Sequence, residues 1–179
     1  ALGGRMLDVA RLNSYDPIQD YLKSLVWDGV PRMSTWLHTY CGAKDDEEYH
    51  EAVGRRFLIA LVARAFKPGC KVDNVLVLDG EGGIGKSTVF SILAGQWFCD
   101  TLISLGDKDS RMLAGQYWIC EMAELVAFKN SSHDALKNFF SSSTDKFRLP
   151  YGRKLKESKR RCLFVGTTND AEYLTDETG

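Results

Sequence analysis

The 179-residue sequence predicts an α/β protein in which a parallel sheet core follows a helical first third. Three observations carry that expectation. Apolar residues recur at helical spacing up to about residue 70. Three later runs, "VDNVLVLDG", "QYWICE" and "RCLFVGTTN", are short, apolar and closed by polar residues. A glycine-rich segment running into Lys-Ser-Thr joins the first of these runs to a helical stretch. Strands alternating with helices favour parallel pairing, since a crossover helix returns the chain to begin the next parallel strand.

The helical third reads in order. Asp16 can cap a helix with Pro17 at its first position, and Ile18, Tyr21, Leu22 and Leu25 follow at helical spacing. "WDGVP" stops it with a turn. A second short helix is expected over about 32–40. "KDDEEYHEAVGRRFLIALVARAF" reads as a longer one, its acids early and its arginines later, the order that suits the helix dipole. "KPGC" ends it. The pattern changes at residue 72, which predicts a helical subdomain over 1–70 and a nucleotide-binding core over 71–179.

Composition excludes little but does so clearly. With 44% hydrophobic and 26% charged residues the chain reads as an ordinary soluble globular protein. Its net charge of -1 means that any nucleic-acid partner must be met by local charge. Cysteines 41, 70, 99, 120 and 162 contain no CxxC pair, and Cys120 and Cys162 lie inside apolar runs. A reduced, cytoplasmic protein without disulfides or structural zinc is expected. No apolar run approaches the roughly 20 residues of a membrane span, and no secretory signal is visible. The terminal "ALGG" and "LTDETG" read as the ends of a fragment.

Chemistry concentrates at residues 80–88. Gly80-Glu81-Gly82-Gly83-Ile84-Gly85-Lys86-Ser87 matches G-x-x-x-x-G-K-[ST], a phosphate-binding loop. Glycines let backbone N–H groups turn inward around a phosphate. Lys86 would reach the β- and γ-phosphates of a nucleoside triphosphate, Ser87 would coordinate Mg²⁺, and Thr88 would approach the α-phosphate. The helix that begins here points its positive end at the anion. Average residue usage produces this pattern by chance at about one position in 30,000, so a strand before it and a helix after it make a bland glycine turn a poor alternative.

A loop of this kind works with a carboxylate at the end of a neighbouring strand. Glu121, after the apolar run Tyr117–Cys120, is the first candidate for holding Mg²⁺ and the attacking water, and Glu124 is the second. Glu124 could equally cap or solvate a following helix. Asn169 ends the last apolar run, where a polar side chain can orient water, although Thr167, Thr168 and Asn169 could also form only a turn. Between these strands, residues 146–161 carry eight Lys/Arg and one acid. Pro150, Tyr151 and Gly152 argue against one straight helix there. A basic hairpin with an aromatic near its tip suits a nucleic-acid backbone, with Lys146, Arg148, Tyr151, Arg153, Lys154 and Lys156 as the contacts. The bland alternative is a solvated hairpin that balances the acidic "DDEE".

With these pieces in place the chain resembles the virulence-associated E family of phage and mobile-element proteins, a branch similar to the superfamily 3 helicase-like ATPases of the AAA+ class. The resemblance runs from about Asp16 to Gly179 through "DPIQDYLKSLVWDGVPR", "KVDNVLVLDGEGGIGKST", "YWICEMAEL", "LKNFFSSSTDKFRLPYGR" and "CLFVGTTND". It implies a P-loop NTPase core, a Walker B part for Glu121 and Glu124, a DNA-facing hairpin within Lys137–Arg153, and a sensor role for Asn169. It also implies ATP hydrolysis in a homo-oligomeric ring, commonly a hexamer, with an arginine entering from the next subunit. In the family, paired arginines and an aromatic follow the "DETG" run, whereas this sequence stops at Gly179. An arginine finger is worth about 10³–10⁵ in rate, so weak turnover is expected of this stretch alone; Arg148 and Arg153 are less convincing substitutes.

Three functions fit these residues. The first is a DNA-dependent, helicase-like ATPase of phage or mobile-element replication. The second is an ATP-gated DNA-binding switch that does not unwind. The third is a small-molecule kinase, disfavoured because its phosphate loop usually opens the chain and because no acceptor pocket can be named.

Overall fold

Side-chain capping sets the first elements of the computed structural model, which describes residues 15–101, 108–123, 133–148 and 155–169. Helix α1 (Pro17–Ser24) starts on proline, whose missing N–H costs nothing at that position. One Asp16 oxygen accepts from the N–H groups of Ile18 and Gln19 at 3.2 Å each, and the other accepts from Arg161. Burial pushes the Asp16 carboxyl up, but the Arg161 bond and the two cap bonds outweigh it and hold its pKa below the usual 3.8. Helix α2 (Trp36–Cys41) ends at Gly42 in the left-handed region. Helix α3 (Glu47–Phe66) is capped by Asp46, which accepts from the Tyr49 N–H at 3.0 Å. The buried α3 residues Gly54, Phe57, Leu61, Arg64 and Ala65 recur every three or four positions and so share one face. Gly54 lets α2 come close, since a Cβ there would stand 2.6 Å from Trp36 Nε1.

The core is a four-stranded, all-parallel sheet of β1 (Leu76–Asp79), β2 (Phe98–Cys99), β3 (Ile119–Ala123) and β6 (Leu163–Thr168), in the order β1-β6-β3-β2. Register sorts its side chains onto two faces. Leu76, Leu78, Ile119, Leu163 and Val165 face α3 and α4 (Lys86–Ala94), joining Phe57, Leu61, Phe90 and Ala94 in one apolar cluster. Cys120, Met122 and Phe164 lie on the other face, with Ala114 of α5 (Lys108–Ala114) and Phe139 of α6 (His133–Ser141). Helices on both faces are the usual condition for a parallel sheet. The first cluster also takes in Ile18, Trp36 and Leu37, so the apolar core continues across residue 70. All five cysteines are free thiols. Among the described residues no helix is long and apolar enough to cross a membrane.

The basic segment forms an antiparallel hairpin of β4 (Thr144–Arg148) and β5 (Leu155–Lys159), as expected, but its charge is less available than the sequence implies. Arg160 is 3% exposed. Its guanidinium holds both Asp145 oxygens, donates to the Phe139 carbonyl, and lies 4.9 Å and 5.2 Å from the ring centres of Phe139 and Phe164. Its carbonyl accepts from the Gly69 N–H at 2.8 Å and from buried Arg64 at 3.3 Å. Arg161 is spent on Asp16, and Lys146 pairs with Glu157 at 2.6 Å. Two of the eight basic residues are therefore structural, a correction that follows from burial the sequence does not reveal.

The sequence also placed some boundaries differently. β3 begins at Ile119 rather than Gln116, because the Gln116 and Tyr117 N–H groups bond back to the Leu113 and Ala114 carbonyls at the end of α5. β2, α5 and α6 have no counterpart in the sequence reading. β2 is only two residues long, too short to show any alternation.

Arg160→Ala is expected to lower stability by about 3–5 kcal/mol, the cost of leaving a buried partner charge unpaired. Urea denaturation measures this. A change within 0.5 kcal/mol would show that Arg160 does not hold the hairpin to the sheet.

Candidate functional site

Parallel strands all end at one edge, so polar residues at their C-terminal ends converge. β1 ends at Asp79, and the glycine loop follows. The Gly80 N–H bonds back to the Thr168 carbonyl on β6 at 3.3 Å, which fixes the loop to the sheet. Gly83 and Gly85 take φ of 79° and 90°, a region that penalises any Cβ. Gly85 is also the residue before α4, and its carbonyl accepts from the Val89 N–H at 3.2 Å. Gly82 lies beside Asn169, and the exposed Ile84 side chain reaches back over Gly80.

Lys86 opens α4 and folds its ammonium into the loop. Its Nζ donates at 2.7 Å to each of three acceptors: the Gly80 carbonyl, the Glu81 carbonyl and Asn169 Oδ1. These three contacts match the three donors of an ammonium. They also orient the Asn169 amide, since its oxygen must face Lys86; Nδ2 then lies toward Gly82. Asn169 sits just past β6, as the sequence reading placed it.

Ser87 and Glu121 meet directly. Ser87 Oγ donates to Glu121 Oε1 at 2.6 Å, and Thr167 Oγ1 donates to the same oxygen at 2.7 Å. Glu121 was expected where its strand ends. It lies instead in the middle of β3 and is 4% exposed, because β3 runs on through Met122 and Ala123. It belongs to the sheet face that α4 covers, since it is in register with Val165. A buried carboxylate is costly without donors, and the two hydroxyls supply them. Thr167 had no role in the sequence reading. Its signal was weak: a hydroxyl inside an apolar strand, two residues before Asn169. Thr88 lies in the first turn of α4 and is exposed.

The remaining candidates are less concentrated. Glu124, Tyr151, Arg153 and Lys154 lie outside the described residues. On the hairpin, pairing register puts Lys146 and Arg148 on one face with Glu157, whereas Lys156 shares the opposite face with Asp145 and Phe147. The six expected nucleic-acid contacts are therefore not one continuous surface among the described residues.

The donor set fits a hard cation held jointly with phosphate. Ser87 and Glu121 offer adjoining oxygens, the ligand type Mg²⁺ takes, usually alongside substrate phosphates and water. Among the described residues no group of three or more His, Cys, Asp or Glu could cage a metal by itself.

The family model for the virulence-associated protein E-like domain matches residues 22–179. No curated protein matches the chain significantly. Among solved structures, the apo NrS-1 C-terminal region (305–718) is similar at 17% identity and a TM-score of 0.47, over 73% of this chain and 33% of that one. The A form apo structure of the same region gives 16% and 0.49, over 86% and 36%. A further A form gives 20% and 0.45, over 69% and 30%. The chain thus spans about a third of the length of these chains.

Thr167→Val is expected to destabilise the chain by about 1.5–3 kcal/mol, the range for a hydrogen bond to a charged group. Denaturant titration gives the value. An unchanged midpoint would mean that Glu121 does not depend on the Thr167 hydroxyl.

Proposed function

The chain belongs to the virulence-associated protein E-like family, and from that premise we propose that it is a P-loop ATPase that binds Mg²⁺-ATP at residues 80–88 and hydrolyses it in a DNA-dependent, helicase-like cycle serving phage or mobile-element replication. The observation that carries this is the linked set at the start of α4, where Lys86 holds Asn169 and the adjacent Ser87 holds Glu121, which Thr167 also holds.

Each residue has a task that its position supports. The loop's backbone surrounds the phosphates, and the start of α4 favours their charge. Lys86 exchanges its loop carbonyls for β- and γ-phosphate oxygens and stabilises charge as the γ-phosphoryl group leaves. Mg²⁺ would supply further neutralisation of that charge, with Ser87 and Glu121 as the residues to hold it. Glu121 and Asn169 would hold the attacking water; with Oδ1 turned to Lys86, Asn169 has Nδ2 left to address it. The hairpin contributes Lys146 and Arg148 to a nucleic-acid backbone. Ring assembly, with an arginine supplied by a neighbouring subunit, belongs to the same proposal.

The test is Mg²⁺-ATP turnover with and without single-stranded DNA, in this chain and in one extended past Gly179. DNA should raise turnover of the longer chain. Lys86→Ala should cut it by about 10²–10³ or more, the scale seen when one transition-state donor is lost. Arg148→Ala should weaken the DNA response and leave basal turnover intact. If ATP binds but DNA alters neither binding nor turnover, the helicase-like cycle is wrong and an ATP-gated switch takes its place.

A further inference from the structure

A cavity of about 570 Å³ adjoins the glycine loop. One wall is β1 with Gly85, Lys86 and Val89; the other is the segment 37–45 with Tyr49, His50 and Val53 of α3. We propose that this cavity receives the base and ribose of the nucleotide, so that the helical segment around α2 and α3, not the sheet, reads the base. This rests on the nucleotide-binding reading above.

Continuity is the first argument. Gly85 and Lys86 belong to both the loop and the cavity, so a ligand with its phosphates on the loop enters without crossing another element. Size is the second, since small-molecule pockets occupy roughly 300–1,000 Å³. The third is the chemistry of the walls. Tyr40, Tyr49 and His50 contribute rings, and the rings of Tyr49 and His50 lie 5.6 Å apart at 61°. Val53 and Val89 add apolar surface. Flat rings and apolar walls suit a planar base, which gains from stacking whatever its edge pattern.

The wall is also preorganised. The Ala43 N–H bonds to the Leu37 carbonyl at 3.1 Å, and the Ala43 carbonyl accepts from His38 Nδ1 at 2.8 Å. Asp45, on the rim, holds a left-handed φ of 67°, uncommon for a residue with a Cβ and enriched at ligand clamps. His50 Nδ1 is buried without a hydrogen-bond partner among the described residues, an unmet polar atom beside the cavity that calls for explanation. The wall residues of α2 and α3 lie well before the loop in sequence, which is why the loop carries no base-reading pattern of its own.

The experiment compares binding of ATP with binding of inorganic tripolyphosphate, which has no base, by titration calorimetry. Val53→Phe narrows the cavity, and Tyr49→Ala removes a ring that is 59% exposed, so the second variant is expected to fold even if the first does not. Each folded variant should weaken ATP by about tenfold, the scale of one lost stacking partner, and leave tripolyphosphate within about twofold. Lys86→Ala should weaken both ligands. If ATP affinity stays unchanged in the cavity variants and falls in Lys86→Ala, the base lies elsewhere and the nucleotide reading stands. Equal losses for ATP and tripolyphosphate would show that the cavity supports the loop rather than the base, which also overturns the proposal. Unchanged binding in Lys86→Ala would overturn the nucleotide reading itself.

Discussion

The hydrogen bond from Ser87 to Glu121 ties the glycine loop to the middle of the sheet. Glu121 is buried on the face that α4 covers, and a carboxylate there needs donors to persist. Ser87 comes from the first turn of α4 and Thr167 from β6, so one carboxylate oxygen joins three elements. Lys86 and Asn169 add a second tie between α4 and the end of β6. These bonds thus brace α4 against β3 and β6 at the glycine loop.

A second buried charge braces the rest. Arg160 closes β5, and two residues separate it from the start of β6, whose far end carries Thr167 and is followed by Asn169. Its side chain holds Asp145 of β4 and the Phe139 carbonyl of α6, while its backbone receives Arg64 and Gly69. The hairpin and the polar end of the sheet are therefore parts of one unbroken stretch, anchored midway.

Legibility tracked the range of the interactions. The loop was plain because its glycines, Lys86 and Ser87 are adjacent and the constraint is local. Asp16 and Pro17 announced α1 for the same reason. The partner of Glu121 was not legible, because Thr167 lies 46 positions away and a threonine in an apolar strand carries no charge signature. Arg160 was miscounted as surface charge because its neighbours in sequence are basic and its burial is set by Phe139 and Phe164. The continuous core across residue 70 was hidden by a real change of pattern: the periodicity switches from helix to strand there, yet both sides bury their apolar faces against each other.

The most direct test of the central claim is whether Mg²⁺ and Glu121 act together on nucleotide affinity. A non-hydrolysable ATP analogue would be titrated with and without Mg²⁺ into the wild-type chain and into Glu121→Gln, which keeps the side chain's shape and removes its charge. Mg²⁺ should tighten binding to the wild type, and that gain should be lost in the variant, with affinity in the absence of metal little changed. A gain of equal size in both proteins, or no analogue binding at all, would contradict the reading of this cluster as a Mg²⁺-nucleotide site.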